Sequence, residues 1–138
     1  MIHLDTNVVI ALLNGKPSIV RERFDAVNTL KAKSTIAMSI VVYHELMYGA
    51  AASEKRRHNE EKIALFIATS GLSLLPFEEK HAREAADIRG YLRKLATPIG
   101  PYDVLIAAQA RSTGSVLITA NYREFNRVPE LIVIDWTE

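Results

Sequence analysis

Three acidic residues in this chain stand where an acid is out of place on a solvated surface. Asp5 follows a short apolar run, residues 1–4, and precedes Thr6 and Asn7. Both of those are helix-capping types, and Val8, Val9, Ile10, Leu12 and Leu13 continue as a helical apolar run. Asp5 is therefore placed where a buried strand ends and a helix begins, the edge at which open α/β sheets bind ligands. Glu45 has Val41, Val42, Tyr48 and Gly49 one helical turn away, surroundings that do not describe a water-facing stripe. Asp103 is in line with Ile106, Ala107 and Ala110, the apolar stripe of its own helix. It also falls in the first turn of that helix, where the dipole favours a carboxylate, so support of the helix start is a competing reading. A further strand ends at Thr119; by the same rule Thr119 and Asn121 face the crevice, with Glu124 one short turn on.

Carboxylates from three separate segments would repel one another at a shared edge, and buried anions need compensation. Either some are protonated or cations bind. Oxygen ligands without His or Cys select hard ions such as Mg²⁺ or Mn²⁺. Such ions suit phosphate chemistry, because they neutralise phosphoryl charge and activate a water for in-line attack.

The elements that must position these acids alternate along the chain. Residues 1–4 form a first strand, followed by a helix ending near Asn14 and Gly15. Pro17 and Ser18 open a second helix to about Lys31, with Val20, Phe24, Val27 and Leu30 on one face. Residues 35–38 are a short strand, and Ser39 caps a third helix to about Ala51. A fourth helix covers residues 54–69 and ends at Gly71; residues 72–75 are a third strand. A fifth helix covers about residues 78–95, with Ala85, Ile88, Leu92 and Leu95 as its stripe. After the loop at 97–101, a sixth helix covers residues 102–112 and closes at Gly114. Residues 115–119 are a fourth strand, 121–125 a turn or short helix, and 131–134 a fifth strand. Short buried strands separated by helices predict an α/β fold with a mostly parallel sheet of four or five strands.

The length of 138 residues predicts one domain spanning 1–138. Hydrophobic residues at 49% and charged residues at 24% fit an ordinary globular protein. There are no cysteines, which excludes disulfides and thiolate metal sites and suits a cytoplasmic setting. No secretory leader is expected, and no apolar run approaches the ~20 residues of a membrane span. The formal net charge of +1 neither requires nor excludes nucleic acid.

Other chemistries lack their signatures. The glycines are too dispersed for a nucleotide loop, and His44-Glu45 has Tyr48 where a zinc protease helix needs a second histidine. No serine-hydrolase elbow is present. His3 alternates within a strand and reads as structural; His58 and His81 lie in charged helices and read as solvated. The basic groups Lys55, Arg56, Arg57, His58 and Lys62, and Arg83, Arg89, Arg93 and Lys94, are solvated faces or phosphate contacts. Asp25, Asp87 and Asp135 are weaker site candidates.

Four segments together resemble the PIN-domain ribonucleases, and within them the toxins of VapBC-type toxin–antitoxin modules. They are residues 4–7 (Leu-Asp-Thr-Asn), 45–49 (Glu-Leu-Met-Tyr-Gly), 99–108 (Ile-Gly-Pro-Tyr-Asp-Val-Leu-Ile-Ala-Ala) and 117–125 (Leu-Ile-Thr-Ala-Asn-Tyr-Arg-Glu-Phe). The stretch from Arg123 to Trp136 also fits, so the resemblance covers essentially the whole chain. It implies a three-layer α/β/α domain, Mg²⁺- or Mn²⁺-dependent endonuclease cleavage of RNA, a homodimer, and inhibition by a cognate antitoxin. Antitoxins of the family cover apolar surface near the first, second and fourth helices. Residue by residue, Asp5, Glu45 and Asp103 match the metal-binding acids, and Thr6 and Thr119 the supporting hydroxyls. Where the family often has a fourth acid, this chain has Asn121. Asparagine offers a carbonyl oxygen but no charge; Glu124 is the acid placed to replace it, directly or through water.

Two other functions fit parts of the pattern. One is a non-catalytic module that binds RNA or a protein partner on the same scaffold, motivated by the neutral Asn121. The other is a small phosphatase or phosphotransferase with Asp5 as nucleophile, although the second acid common two residues later is replaced by Asn7.

Overall fold

The computed structural model describes residues 1–30 and 36–138. Five short strands, β1 (Ile2–Leu4), β2 (Ile36–Ser39), β3 (Ser73–Leu75), β4 (Val116–Ile118) and β5 (Ile132–Ile134), form one sheet in the order β3-β2-β1-β4-β5. Every pairing is parallel, with Ile2 opposite both Ile36 and Val116, and Leu4 opposite Ile118. The expected ends of the second helix at Lys31 and of the second strand at Thr35 lie outside the described residues. The helices are α1 (Thr6–Asn14), α2 (Ser18–Leu30), α3 (Ile40–Ala51), α4 (Arg56–Ser70), α5 (Glu79–Lys94), α6 (Pro101–Ser112) and the single turn α7 (Tyr122–Phe125). One group packs α1 against α2, α3 and α4, and another packs α5 along α6, with α3 and α6 also in contact.

The chain builds outward from β1 to β3, then returns to the other side of β1 for β4 and β5. The order therefore reverses between β1 and β4, and a crevice opens there at the carboxyl ends of the strands. Leu4, Met38, Leu117 and Ile118 are almost fully buried in the sheet. His3 is buried with them, and neither of its ring nitrogens has a hydrogen-bond partner. Burial, with the nearby N-terminal charge and His81, pushes its imidazolium down to about 4, so the ring is neutral at pH 7.

Local chemistry sets the helix boundaries. Gly15 (φ 74°) ends α1 in the left-handed region, and Gly114 (φ 65°) follows α6 in the same way. Ser39 caps α3, accepting from the Val41 N–H at 3.0 Å. The same hydroxyl donates to Gln109 Oε1 at 2.5 Å, and Gln109 Nε2 donates to the Pro76 carbonyl at 2.9 Å. One fully buried side chain on α6 thus ties together the ends of β2 and β3.

Some expectations need correction. His81 is buried, not solvated: it is the third residue of α5, its Nδ1 accepts from the Glu78 N–H at 2.9 Å, and its ring lies 5.5 Å from that of Phe77. Leu30 and Leu95 are exposed although in phase with buried stripes, because each stands at the end of its helix, past the core.

Gln109→Leu keeps the volume but leaves the Ser39 hydroxyl and the Pro76 carbonyl without this partner. The expected cost is about 1–3 kcal/mol, read as a lower urea midpoint; an unchanged midpoint would show that the bridge carries no stability.

Candidate active site at the strand ends

Asp5 is the residue immediately after β1, and the ladder continues through it, with its N–H donating to the Ile118 carbonyl at 2.9 Å. Its backbone is extended, which turns it from strand residue into the cap of α1. Thr6 and Asn7 do not serve as the cap; Asp5 does, Oδ1 accepting from the Thr6 N–H at 2.8 Å. Oδ2 accepts from Thr119 Oγ1 at 2.7 Å and from Asn7 Nδ2 at 3.2 Å. The residue is only 4% exposed. Burial pushes its pKa above the ordinary range and the charge of Glu45 adds to this; the bonds from Thr119, Thr6 and Asn7 act against it.

Thr119, directly after β4 and fully buried, is the other half of the network. Its hydroxyl hydrogen goes to Asp5, and its oxygen accepts from the Asn121 N–H at 2.9 Å and from Asn7 Nδ2 at 3.3 Å. Asn7 Oδ1 accepts from the Ala120 N–H at 3.0 Å. Asn7 and Thr119 together bind the turn after β1 to the turn after β4, across the point where the strand order reverses.

Glu45 is half-buried on the second turn of α3, and its Oε1 accepts from Thr6 Oγ1 at 2.5 Å. Asp103 is half-buried in the first turn of α6, which Gly100 and Pro101 open. A Cβ on Gly100 would lie 3.1 Å from Asp103 Oδ2, so the missing side chain leaves room for this carboxylate. Burial, and then the charges of Asp5, Glu124 and Glu45, push the Asp103 carboxyl up to about 6. Glu124, in α7, accepts from Asn121 Nδ2 at 3.2 Å. Four acids thus act on one space, and among the described residues none of them forms an ion pair. Gln109 is a support that the sequence reading did not single out. The signal for Gln109 was a lone amide inside the apolar run 106–110.

The weaker candidates are occupied elsewhere. Asp25 lies 3.8 Å from Arg21, Asp135 accepts from Thr137, and Asp87 is exposed on α5. Arg56 and Arg57 pair with Glu60 and Glu61 along α4.

Among the described residues, no three His, Asp or Glu side chains are grouped closely enough to hold an ion by themselves. The donor chemistry nonetheless fits a hard divalent cation, because Asp5, Glu45, Asp103 and Glu124 offer oxygen and, among the described residues, no cationic side chain pairs with them. Mg²⁺ in particular keeps several waters and takes only one or two carboxylates from a protein.

A PIN domain model matches residues 2–131, and the chain belongs to the PIN domain family. It is 39% identical over 133 residues to the tRNA(fMet)-specific endonuclease VapC of Salmonella typhimurium, with 96% of each protein covered. The enzyme of the same description from Shigella flexneri is 37% identical over 134 residues, covering 97% of this chain and 96% of that protein. Among solved structures, VapBC2 from Rickettsia felis bound to a DNA fragment from its promoter aligns with a TM-score of 0.89 at 31% identity, covering 99% of both chains.

Two predictions follow from the network. Thr119→Val removes a donor to Asp5 and the acceptor for the Asn121 N–H, at an expected cost of about 1–3 kcal/mol; Thr119→Ser keeps both bonds and most of the stability. Equal losses in the two variants, measured by chemical unfolding, would mean that the hydroxyl is not what matters. In EDTA, the folded chain holds the Asp103 proton more tightly than the unfolded chain does, because the folded pKa is raised. Stability from this group therefore falls as pH rises from about 4 to about 6. Asp103→Asn is expected to melt a few degrees above the native chain at pH 8, with most of that gain gone at pH 4.5. A gain independent of pH would contradict the raised Asp103 pKa and its assigned causes, burial and the neighbouring acids.

Proposed function

We propose that this chain is a divalent-metal-dependent endoribonuclease, the toxin component of a type II toxin–antitoxin module, acting in the cytoplasm on tRNA or another structured RNA. The observation that carries the reading is the Asp103 carboxyl, pushed up to about 6 by burial first and then by the charges of Asp5, Glu124 and Glu45, at the switch point of a parallel sheet. Such a concentration of negative charge suits a cation and a phosphodiester together. The ribonuclease and tRNA(fMet)-specific endonuclease descriptions of full-length relatives support RNA as the substrate.

In this reading Asp5 and Asp103 would hold Mg²⁺ or Mn²⁺, and Glu45 would hold the ion or orient the attacking water. When bound, the ion neutralises phosphoryl charge and makes water a competent nucleophile near neutral pH. The chain's own part is orientation. The Thr6, Thr119 and Asn7 donors fix both oxygens of Asp5, so the carboxylate cannot rotate away from the crevice. Thr6 also holds Glu45 Oε1, leaving its other oxygen for water or the ion. Asn121 presents Glu124 to the same space through its amide.

The antitoxin partner fits the groove where α1, α2 and α4 meet, lined by Leu12, Leu13, Phe24, Leu65 and Phe66, with Leu65 64% exposed. Similar solved structures are VapBC complexes, which supports such a partner. A homodimer completes the proposed assembly.

The test is cleavage of a pool of structured RNAs by the purified chain, free of partner, in Mg²⁺, Mn²⁺ or EDTA. Cutting is expected only with an ion, and Asp5→Asn or Asp103→Asn should lower it at least a hundredfold while circular dichroism stays native. Metal-dependent cutting retained by Asp5→Asn would remove Asp5 from the site. RNA bound but left uncut under every condition would favour the binding module.

A further inference from the structure

Beside Thr6 and Glu45 the surface carries a group of rings that the reading above does not use. His44 and Tyr48 of α3 and Tyr102 of α6 line a hollow of ≈ 340 Å³ together with Thr6 and Glu45. His44 and Tyr48 are four residues apart and share one face of α3. Tyr102 stands next to Asp103, and its ring centroid lies 5.6 Å from that of His44, with the planes at 58°. Tyr48 is 68% exposed and Tyr102 47%, and His44 is exposed as well. Elsewhere in the chain Phe24, Phe125 and Trp136 are buried, as rings ordinarily are; Tyr91 and Tyr122 are also exposed, but among the described residues neither pairs with another ring. Three solvent-facing rings at one spot, each set beside the acid edge, call for an occupant.

The charge of the surroundings narrows what that occupant is. An anion would be repelled by Glu45 and its neighbours, whereas a neutral flat group would not. The hollow is near the lower end of ligand pockets, roughly 300–1,000 Å³, which suits one such group. Proteins read unpaired RNA by stacking splayed bases on Tyr, Phe, Trp or His. We propose that His44, Tyr48 and Tyr102 form a stacking shelf for one unpaired nucleobase of the RNA, next to the phosphate to be cut. The chain spacing supports this, since the shelf and the acids are adjacent residues at two places, His44 with Glu45 and Tyr102 with Asp103. The shelf would restrict cutting to single-stranded or unstacked positions. It deepens the ribonuclease reading and rests on RNA being the substrate.

The test uses RNA stem-loops carrying 2-aminopurine at each loop position in turn, bound in Mg²⁺ to the full-length Asp5→Asn chain to prevent cutting. One position is expected to lose fluorescence on binding through stacking. Adding Tyr102→Ala should abolish that quenching and weaken binding about tenfold, in keeping with alanine substitution at other stacking sites, and Tyr102→Phe should restore both. An abasic nucleotide at the quenched position should cost the same factor with the ring present and nothing further with Tyr102→Ala. The shelf is overturned if no loop position is quenched, or if Tyr102→Ala weakens intact and abasic RNA equally. A Tyr102→Ala chain that sediments at a lower mass would also overturn it, by showing that the ring seals contact with a second copy. If the native chain cuts none of these RNAs, the nuclease reading fails separately and the fluorescence still decides the shelf. If it binds none of them, both fall.

Discussion

The structure depends on holding the Asp5 carboxylate, nearly out of water, at the end of the central strand. Burying an anion without partners costs several kcal/mol or forces it to take up a proton. Three donors meet that demand, and they come from the helix start at Thr6, the same turn at Asn7, and the far side of the crevice at Thr119. The hydroxyl of Thr119 then accepts from Asn121, and Asn7 accepts from Ala120. A requirement of one side chain thereby fixes the relative position of two strand ends and the two turns that leave them. The cost of keeping Asp5 in place is spread over pieces of chain more than a hundred positions apart in the sequence.

The topology explains why this happens between β1 and β4 and not elsewhere. In the order β3-β2-β1-β4-β5, the chain leaves β1 toward one side and leaves β4 toward the other. The two exits diverge, so no crossing segment fills the space above them. Helix α3 starts at the end of β2 and brings Glu45 to the rim from one side. Helix α6 brings Asp103 from another, and Gln109 anchors α6 to the ends of β2 and β3. The supports are ordinary packing and capping; what is unusual is that they deliver four acids to one unfilled crevice.

How much of this was legible in the sequence depended on whether the deciding interaction was local. The strand end at Asp5, the cap at Ser39 and the glycine after α6 each rest on a few neighbouring residues, and each is found where it was expected. The approach of Asp5 and Glu45 was legible too, because each follows a strand of the parallel sheet; Asp103 follows no strand, and it was singled out by the apolar stripe of its helix and by the family resemblance. Other features depend on partners distant in sequence. His81 belongs to a charged helix by composition, yet its imidazole accepts a backbone N–H and packs on Phe77. Capping types at Thr6 and Asn7 were misread, because it is Asp5 that caps while those two reach across to Glu45 and Thr119. The hydroxyl–carboxylate pair of Thr119 and Asp5 could be placed on one edge from sequence, but its donor and acceptor roles needed the fold.

The asparagine at 121 is best understood through charge. Asp103 already carries a carboxyl pushed up to about 6 by burial and by three neighbouring acids. A fifth carboxylate at position 121 would raise that value again and leave the cation-free chain bearing more repulsion across the crevice. Asn121 avoids this while its N–H still closes the turn onto Thr119 and its amide still holds Glu124. The negative charge at this corner is thereby carried one short turn along, on a side chain whose one oxygen is held and whose other is free. In the proposed reading, a cation close to Asp5 and Asp103 would keep its carboxylates. One nearer α7 would meet a single carboxylate and a carbonyl oxygen, a set suited to an ion that keeps most of its water. In the proposed reading Asn121 would therefore make the two sides of the crevice unequal, with the stronger one on the side of β1 and α6.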